Sequence, residues 1–147
     1  MREILFRGKS KETGEWIAGY LIIADERWFI LITDNIQTYS FTCLKDGEYI
    51  FGKFIEVIPE SIGQYTGLTD KNGKKIFEGD IVKDEQAQML GKVVYATAAD
   101  GFDGMAGFMV DDIDDGLQNY NGFWHLVEGI GNIHDNPELL ESEVQAE

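Results

Sequence analysis

The sequence predicts a mainly β protein in which an N-terminal β-sheet subdomain precedes a small barrel and a short C-terminal helix. Three observations support this fold class: strand-forming residues recur along the chain, turn-forming residues separate them, and one segment near the end carries a clear helix signal. The chain has 147 residues, of which 44% are hydrophobic and 12% aromatic. A chain of this size and composition can bury a core, as one domain or as two small subdomains.

The first part of the chain is rich in β-branched and aromatic residues, which favour strands. We expect five strands here, at residues 3–6, 16–23, 28–33, 36–42 and 48–58. Pro59 follows the last of them and cannot donate to a sheet ladder, so we place a subdomain border after Ile62. The N-terminal β subdomain is therefore predicted to span residues 1–62, and the C-terminal subdomain residues 63–147.

The second part opens with a predicted hairpin. Asn72 and Gly73 both tolerate positive φ, which a tight two-residue turn requires. Short strands are expected after it, at residues 81–83, 92–95, 107–111, 123–128 and 131–134. Several short strands at such spacing are typical of a small barrel. Asn136 as cap and Pro137 at the first helical position predict a helix near the end of the chain.

The charge is strongly acidic, with 27 Asp or Glu against 12 Lys or Arg and a formal net charge of −15. Residues 1–62 hold seven basic and ten acidic residues and residues 63–147 hold five and seventeen, so the net charges are −3 and −12. Nucleic-acid affinity depends on basic residues that displace counterions from phosphates. We therefore expect no direct binding to DNA or RNA.

Cysteine use and hydropathy indicate where the protein acts. Cys43 is the only cysteine, which excludes an internal disulfide and every multi-cysteine metal motif. Charges interrupt the N-terminus before a signal-peptide core can form, and no apolar run reaches the roughly 20 residues that span a bilayer. The sequence thus predicts a cytoplasmic protein without a membrane partner.

Clustered acids between Asp111 and Asp115 suggest a calcium loop, since Asp111, Asp112, Asp114 and Asp115 precede Gly116. The spacing does not fit an EF-hand, because its third ligand position falls on Ile113 and its bidentate acid on Gly122. A solvated acidic loop is the favoured interpretation.

Two further sets of residues could carry chemistry, and each has a stronger structural interpretation. His125 alternates with apolar neighbours, which favours a half-buried, hydrogen-bonded histidine, and His134 can bond locally. Asp70, Glu78 and Asp80 could form a carboxylate site, but their turn-rich surroundings favour a role in shaping the backbone. No nucleophile elbow or phosphate-binding glycine loop is present. We predict no enzyme, no catalytic or metal-binding residues and no cofactor.

Three segments resemble the YopX family of bacteriophage and prophage proteins: ILFR at residues 4–7, IPESIGQYTGLTDKNGKKIFEGDIV at residues 58–82 and GIGNIHDNPELL at residues 129–140. The resemblance implies a phage or prophage origin, a mostly β protein of the cytoplasm and a second half similar to a small SH3-like barrel. It implies no catalytic or ligand-binding residues.

Three functions follow as hypotheses. The favoured one is an accessory protein that binds another protein through strand edges, loops or an acidic face, and a homo-oligomer is compatible with it. The second is a DNA mimic that inhibits a nucleic-acid enzyme, which requires carboxylates in paired rows. Its candidate carboxylates are Asp100, Asp103, Asp111, Asp112, Asp114, Asp115, Glu128 and Asp135. The third is a metal-dependent protein that uses the loop from Asp111 to Asp115 with His125 or His134.

Overall fold

A computed structural model describes residues 3–32, 42–43, 49–50, 53–97 and 106–145 of the chain. The chain divides into two compact units, residues 1–64 and residues 65–147. Both consist mainly of antiparallel strands, and the described residues hold one short α-helix, which confirms the mainly β fold class. The subdomain ranges placed at residues 1–62 and 63–147 stay a prediction. No helix in the described ranges has the length and apolar character needed to cross a membrane.

The N-terminal unit is built from six strands among its described residues. They are β1 (Phe6–Lys9), β2 (Trp16–Ala24), β3 (Arg27–Ile32), β4 (Thr42–Cys43), β5 (Tyr49–Ile50) and β6 (Lys53–Glu56). The order β6-β3-β2-β1 forms an antiparallel sheet, and β4 pairs with β5. A 3₁₀ helix, Pro59–Ser61, follows β6. The segment predicted as a strand at residues 36–42 lies outside the described residues except for Thr42.

Strands β1 and β6 meet at one end of this sheet. Ser10, just after β1, forms an antiparallel bridge with Val57, just after β6. Beside it, the Ile58 N–H donates to the Lys9 carbonyl oxygen at 2.8 Å. The sheet is therefore curled, and Ile30 and Val57 are fully buried in it.

The C-terminal unit carries the hairpin and a second sheet. Its strands are β7 (Gly63–Thr69), which begins in the N-terminal unit, β8 (Lys75–Phe77), β9 (Asp80–Asp84), β10 (Met89–Ala96), β11 (Gly107–Asp112), β12 (Gly116–Gln118) and β13 (Glu128–Asn132). β7 pairs with β8, and the order β12-β11-β10-β9-β13 forms a five-stranded antiparallel sheet. The outer strands β12 and β13 do not pair with each other, so the described strands do not close into a barrel.

A hydrophobic core lies against this five-stranded sheet. Its members are strand residues together with two residues from the segment before β13: Ile76, Val82, Met89, Val93, Val110, Trp124 and Val127. The chain ends in the helix α1 (Glu138–Gln145), next to the predicted Pro137. The side-chain oxygen of Asn136 accepts the Asn132 N–H at 3.2 Å, so it ties the helix start to β13.

The first strand, predicted at residues 3–6, runs instead from Phe6 to Lys9. Two predicted elements of the C-terminal unit are wrong in their conformation. The segment predicted as a strand at residues 123–128 forms a 3₁₀ helix, Trp124–Leu126, before β13 begins at Glu128. The turn of the β7–β8 hairpin is longer than two residues, because Thr69 pairs with Lys75 and only Gly73 has positive φ, at +80°. Asp70 accepts backbone N–H groups inside this turn, which stabilises the longer form.

Candidate functional site

The segment before β13 presents apolar side chains to solvent. The Phe123 N–H donates to the Tyr120 carbonyl oxygen at 2.7 Å, and the Leu126 N–H donates to that of Phe123 at 2.9 Å. In a 3₁₀ turn, residues three apart lie on the same side. Phe123 and Leu126 are accordingly 56% and 41% exposed, whereas Trp124 and Val127 are 4% and 0% exposed. This turn therefore separates an outward apolar pair from an inward one.

The outward pair borders an open groove of about 400 Å³. The opposite wall is the turn that joins β9 to β10. The lining residues are Asp84, Gln86, Ala87, Asn119, Tyr120, Phe123 and Leu126. An apolar wall with a few polar groups beside it is typical of ligand sites. We define these residues as the 84–126 groove and take it as the candidate binding site.

Asp84 joins the two walls of the groove. Its Oδ1 accepts the N–H groups of Gln86 at 3.1 Å and Ala87 at 3.3 Å, which fixes the turn after β9. Its Oδ2 accepts the hydroxyl of Tyr120 at 3.3 Å. The Tyr120 ring in turn packs on Trp124, with ring centroids 6.0 Å apart. Contacts within the chain therefore hold the two walls of the groove together.

Burial and the Asp84 carboxylate raise the pKa of Tyr120 to about 12. Trp124 lies behind it, and its Nε1–H is buried with no hydrogen-bond partner in the described part of the chain. Tyr120 is thus a protonated donor at physiological pH, as an ordinary tyrosine is, and its surroundings extend this to a higher pH.

Tyr120 is expected to make stability depend on alkaline pH. The folded state holds its proton to about pH 12, whereas an ordinary tyrosine releases it near pH 10.0. Its stabilising contribution is therefore complete below pH 10 and is lost as the pH rises toward 12. Denaturant unfolding should show the wild-type free energy falling relative to that of Tyr120→Phe across this interval. Parallel curves for the two proteins would contradict the assignment.

The predicted backbone-shaping role of Asp70 and Asp80, preferred over a carboxylate site with Glu78, agrees with their hydrogen bonds. Asp70 accepts N–H groups from Asn72 at 2.8 Å, Lys74 at 2.9 Å and Gly129 at 2.9 Å. Asp80 accepts the Phe77 N–H at 2.8 Å. The described residues contain no group of three His, Cys, Asp or Glu placed to hold a metal ion.

Asp70 also links the hairpin to the end of the groove segment. Its bond to Gly129 joins residues 59 positions apart in the sequence. The Lys71 N–H adds a second tie, donating to the Val127 carbonyl oxygen at 2.9 Å. The turn of the β7–β8 hairpin therefore anchors the backbone that follows Leu126.

The acidic loop from Asp111 to Asp115 forms the tight turn between β11 and β12. Asp112 is buried, and its Oδ1 accepts the N–H groups of Asp114 at 2.8 Å and Asp115 at 3.4 Å. Asp111 lies opposite Lys92 in the register of β10 and β11. These contacts give Asp112 a role in shaping the turn and do not favour the metal hypothesis.

The remaining carboxylates of the DNA-mimic hypothesis include two that bind neighbouring side chains. Asp100 and Asp103 lie outside the described residues. Glu128 pairs with Lys71 at 3.7 Å, and Asp135 accepts the Asn132 side-chain N–H at 3.2 Å. Asp112 is buried, and Glu128 and Asp135 already have partners within the chain, so these contacts do not favour mimicry.

The two histidines lie at the surface. His125 is exposed, which corrects the expected half-buried position, because the 3₁₀ turn rather than a strand places Trp124 inward beside it. His134 is also exposed, and its backbone N–H donates to the Asn132 side-chain oxygen at 3.0 Å.

Cations of the N-terminal unit are held against aromatic rings. The Arg7 guanidinium lies 4.8 Å from the Trp16 ring centroid, and that of Arg27 lies 5.1 Å from Phe29. Arg27 also pairs with Glu56 at 2.6 Å, and this hydrogen bond is the main cause that lowers the pKa of Glu56 to about 2. Arg7 and Arg27 are therefore engaged by contacts within the N-terminal unit.

Comparison with known proteins adds family and fold. A family model described as YopX protein matches residues 5–141. A solved structure described as "Crystal structure of protein EF1440 from Enterococcus faecalis" is 25% identical in sequence, with a TM-score of 0.53. The match covers 95% of this chain and 99% of that one, so the two share a fold over nearly their full lengths. No curated protein matches the chain.

Proposed function

The chain belongs to the YopX protein family, and from this premise we propose that it is a non-enzymatic accessory protein that binds a segment of another protein. We place its action in the cytoplasm of a bacterial host and its origin in a phage or prophage. We also propose that the C-terminal unit is of SH3-like type, because its five-stranded sheet consists of short antiparallel strands.

The exposed pair Phe123 and Leu126 is the observation that carries this proposal. A folded chain can bury apolar side chains, as it does those of the neighbouring Trp124 and Val127, whereas Phe123 and Leu126 are exposed. Contiguous apolar surface beside polar groups marks interaction sites. The 84–126 groove holds about 400 Å³, inside the range of roughly 300–1,000 Å³ for ligand sites.

The hydrogen bonds made by the buried carboxylates support a non-enzymatic role. Asp70, Asp80, Asp84 and Asp112 are all buried, and each accepts at least one backbone N–H. Carboxylates engaged in this way shape turns and strand ends. General acid or base catalysis would instead need a carboxyl group or histidine free to exchange protons with a substrate.

Binding in the groove is expected to depend on its apolar wall. Peptides selected by display against the whole chain should bind the double variant Phe123→Ser/Leu126→Ser at least about tenfold more weakly, measured by calorimetry, because each anchor buries apolar area. Leu68→Ser is the matched control: Leu68 is 39% exposed, close to Leu126 at 41%, lies in the same unit and does not line the groove.

Three results would overturn the proposal. One is the failure of display to yield any peptide that binds the folded chain. Another is a selected peptide whose affinity falls as much in Leu68→Ser as in the double variant. The third is catalytic turnover of a small molecule that Asp84→Asn abolishes, since that result would make the groove an active site.

A further inference from the structure

The 84–126 groove lies in an acidic environment. Its lining holds one carboxylate, that of Asp84, and no Lys, Arg or His. The unit of residues 65–147 has seventeen acidic and five basic residues. A peptide that approaches the groove therefore meets a negative potential, which attracts cationic ligands and repels anionic ones.

Most of the basic residues of this unit are engaged elsewhere. Lys71 pairs with Glu128 at 3.7 Å and Lys83 with Glu85 at 3.2 Å. The Lys75 ammonium lies 5.4 Å from the centroid of the Tyr65 ring. None of these lysines lines the groove, so Asp84 has no cationic neighbour among its lining residues.

We propose that the occupant of the groove is a cationic apolar peptide segment, whose apolar side chain packs on Phe123 and Leu126 and whose Lys or Arg pairs with Asp84. This inference rests on the proposed function and specifies its partner. Asp84 can accept the added donor, because its Oδ2 accepts the Tyr120 hydroxyl at a long 3.3 Å and a carboxylate oxygen has two acceptor sites. Arg and Lys are the side chains that donate to a carboxylate with a charge.

Tyr120 supports this geometry from the other wall. Its hydroxyl donates to Asp84, so the carboxylate is oriented before a ligand arrives. The Oδ1 bonds to Gln86 and Ala87 hold the same side chain from the turn. An oriented charge beside an apolar pair gives a ligand two points of attachment, and fixed attachment points reduce the entropy lost on binding.

The test uses three short peptides that share one apolar core and differ only in flanking residues: arginine, serine or glutamate. With the full chain, calorimetry should show the arginine peptide binding about tenfold more tightly than the serine peptide, as one charge-assisted hydrogen bond predicts. The glutamate peptide should be the weakest. The arginine advantage should shrink as salt increases, because screening weakens the attraction of a cationic peptide to the acidic unit.

Two variants test whether the preference for the arginine peptide comes from Asp84. Asp84→Asn keeps an Oδ1 acceptor for the turn. It should lower the affinity of the arginine peptide to that of the serine peptide. Glu85→Gln removes one charge from the next residue, which does not line the groove, and should retain the arginine advantage. Thermal unfolding of both variants confirms that the comparison is between folded proteins.

The outcomes separate this inference from the proposed function. Equal affinities for the three peptides, all lost in Leu126→Ser, would overturn the cationic partner and leave the peptide-binding groove in place. The cationic partner is also overturned if Glu85→Gln lowers the affinity of the arginine peptide as much as Asp84→Asn does. Absence of binding by all three peptides would overturn both, as would arginine-peptide binding that Leu126→Ser leaves unchanged.

Discussion

Replacing Gly91 with alanine is expected to destabilise the protein by about 3 kcal/mol or more, the upper end of overpacking costs. Gly91 lies in β10 opposite Asp112 of β11. A Cβ atom at this position would overlap the carbonyl oxygen of Asp111 and lie 2.7 Å from Cγ1 of Val110. A backbone oxygen held in a sheet has no rotamer through which to move away. Denaturant unfolding measures the loss directly.

Gly107 provides the matched control for this substitution. It begins β11 in the same sheet, and a Cβ added there meets nothing within 4 Å. Gly107→Ala should be neutral or slightly stabilising, by about 0.4–1 kcal/mol, through the unfolded state. Gly19→Ala in the N-terminal unit should be destabilising for the same reason as Gly91→Ala, because its Cβ would overlap the carbonyl oxygen of Leu31. Similar losses for Gly91→Ala and Gly107→Ala would refute the close approach of β10 and β11.

The second large effect is expected at Asp70, whose replacement by alanine should cost about 3 kcal/mol. The side chain is 5% exposed and accepts three backbone N–H groups, from Asn72, Lys74 and Gly129. Each buried donor left without a partner costs roughly 1–3 kcal/mol, and partial access of water to the turn limits the sum. The loss should appear as a lower denaturant midpoint with an unchanged slope.

Asp70→Asn divides this effect into its two parts. The amide oxygen can still accept the N–H groups of Asn72 and Lys74, which share Oδ1, whereas the new NH₂ group cannot accept the Gly129 N–H. We expect an intermediate loss of about 1–2 kcal/mol, the cost of one unsatisfied buried donor. Wild-type stability in Asp70→Asn would show that the link to Gly129 contributes nothing.

The Asp70 link should also weaken in acid. Burial alone would raise the pKa of this carboxyl, but the N–H donors of Gly129, Lys74 and Asn72 outweigh it and lower the pKa below 3.8. A lowered pKa gives a contribution that is complete above the unfolded value and is lost as the pH falls through the folded value. The difference in unfolding free energy between wild type and Asp70→Asn should therefore diminish below pH 3.8.

Local sequence signals were sufficient for much of the fold. The β-branched and aromatic runs predicted β2 and β3 closely, and those of the second half located β9, β10 and β11. Pro137 correctly marked the start of the helix. The short strand β12 carries no such residue, and it is defined by its pairing with β11, which composition does not reveal.

The groove was not predicted because its defining contacts are distant in sequence. Asp84 and Tyr120 are 36 positions apart, and nothing local in either segment indicates the other. The run from Phe123 to Val127 was interpreted as a strand, since a short apolar run fits a strand and a turn equally well. Its three-residue spacing of two apolar pairs was the available signal, and Asn121 and Gly122 before it mark a turn.

The 3₁₀ turn has a consequence for how related proteins can diverge. Positions 124 and 127 belong to the core, whereas positions 123 and 126 touch solvent and the groove. A change at the outer two positions alters the wall of the groove and leaves the inner two residues in the core. One turn of backbone can therefore keep the core constant while the surface beside it varies.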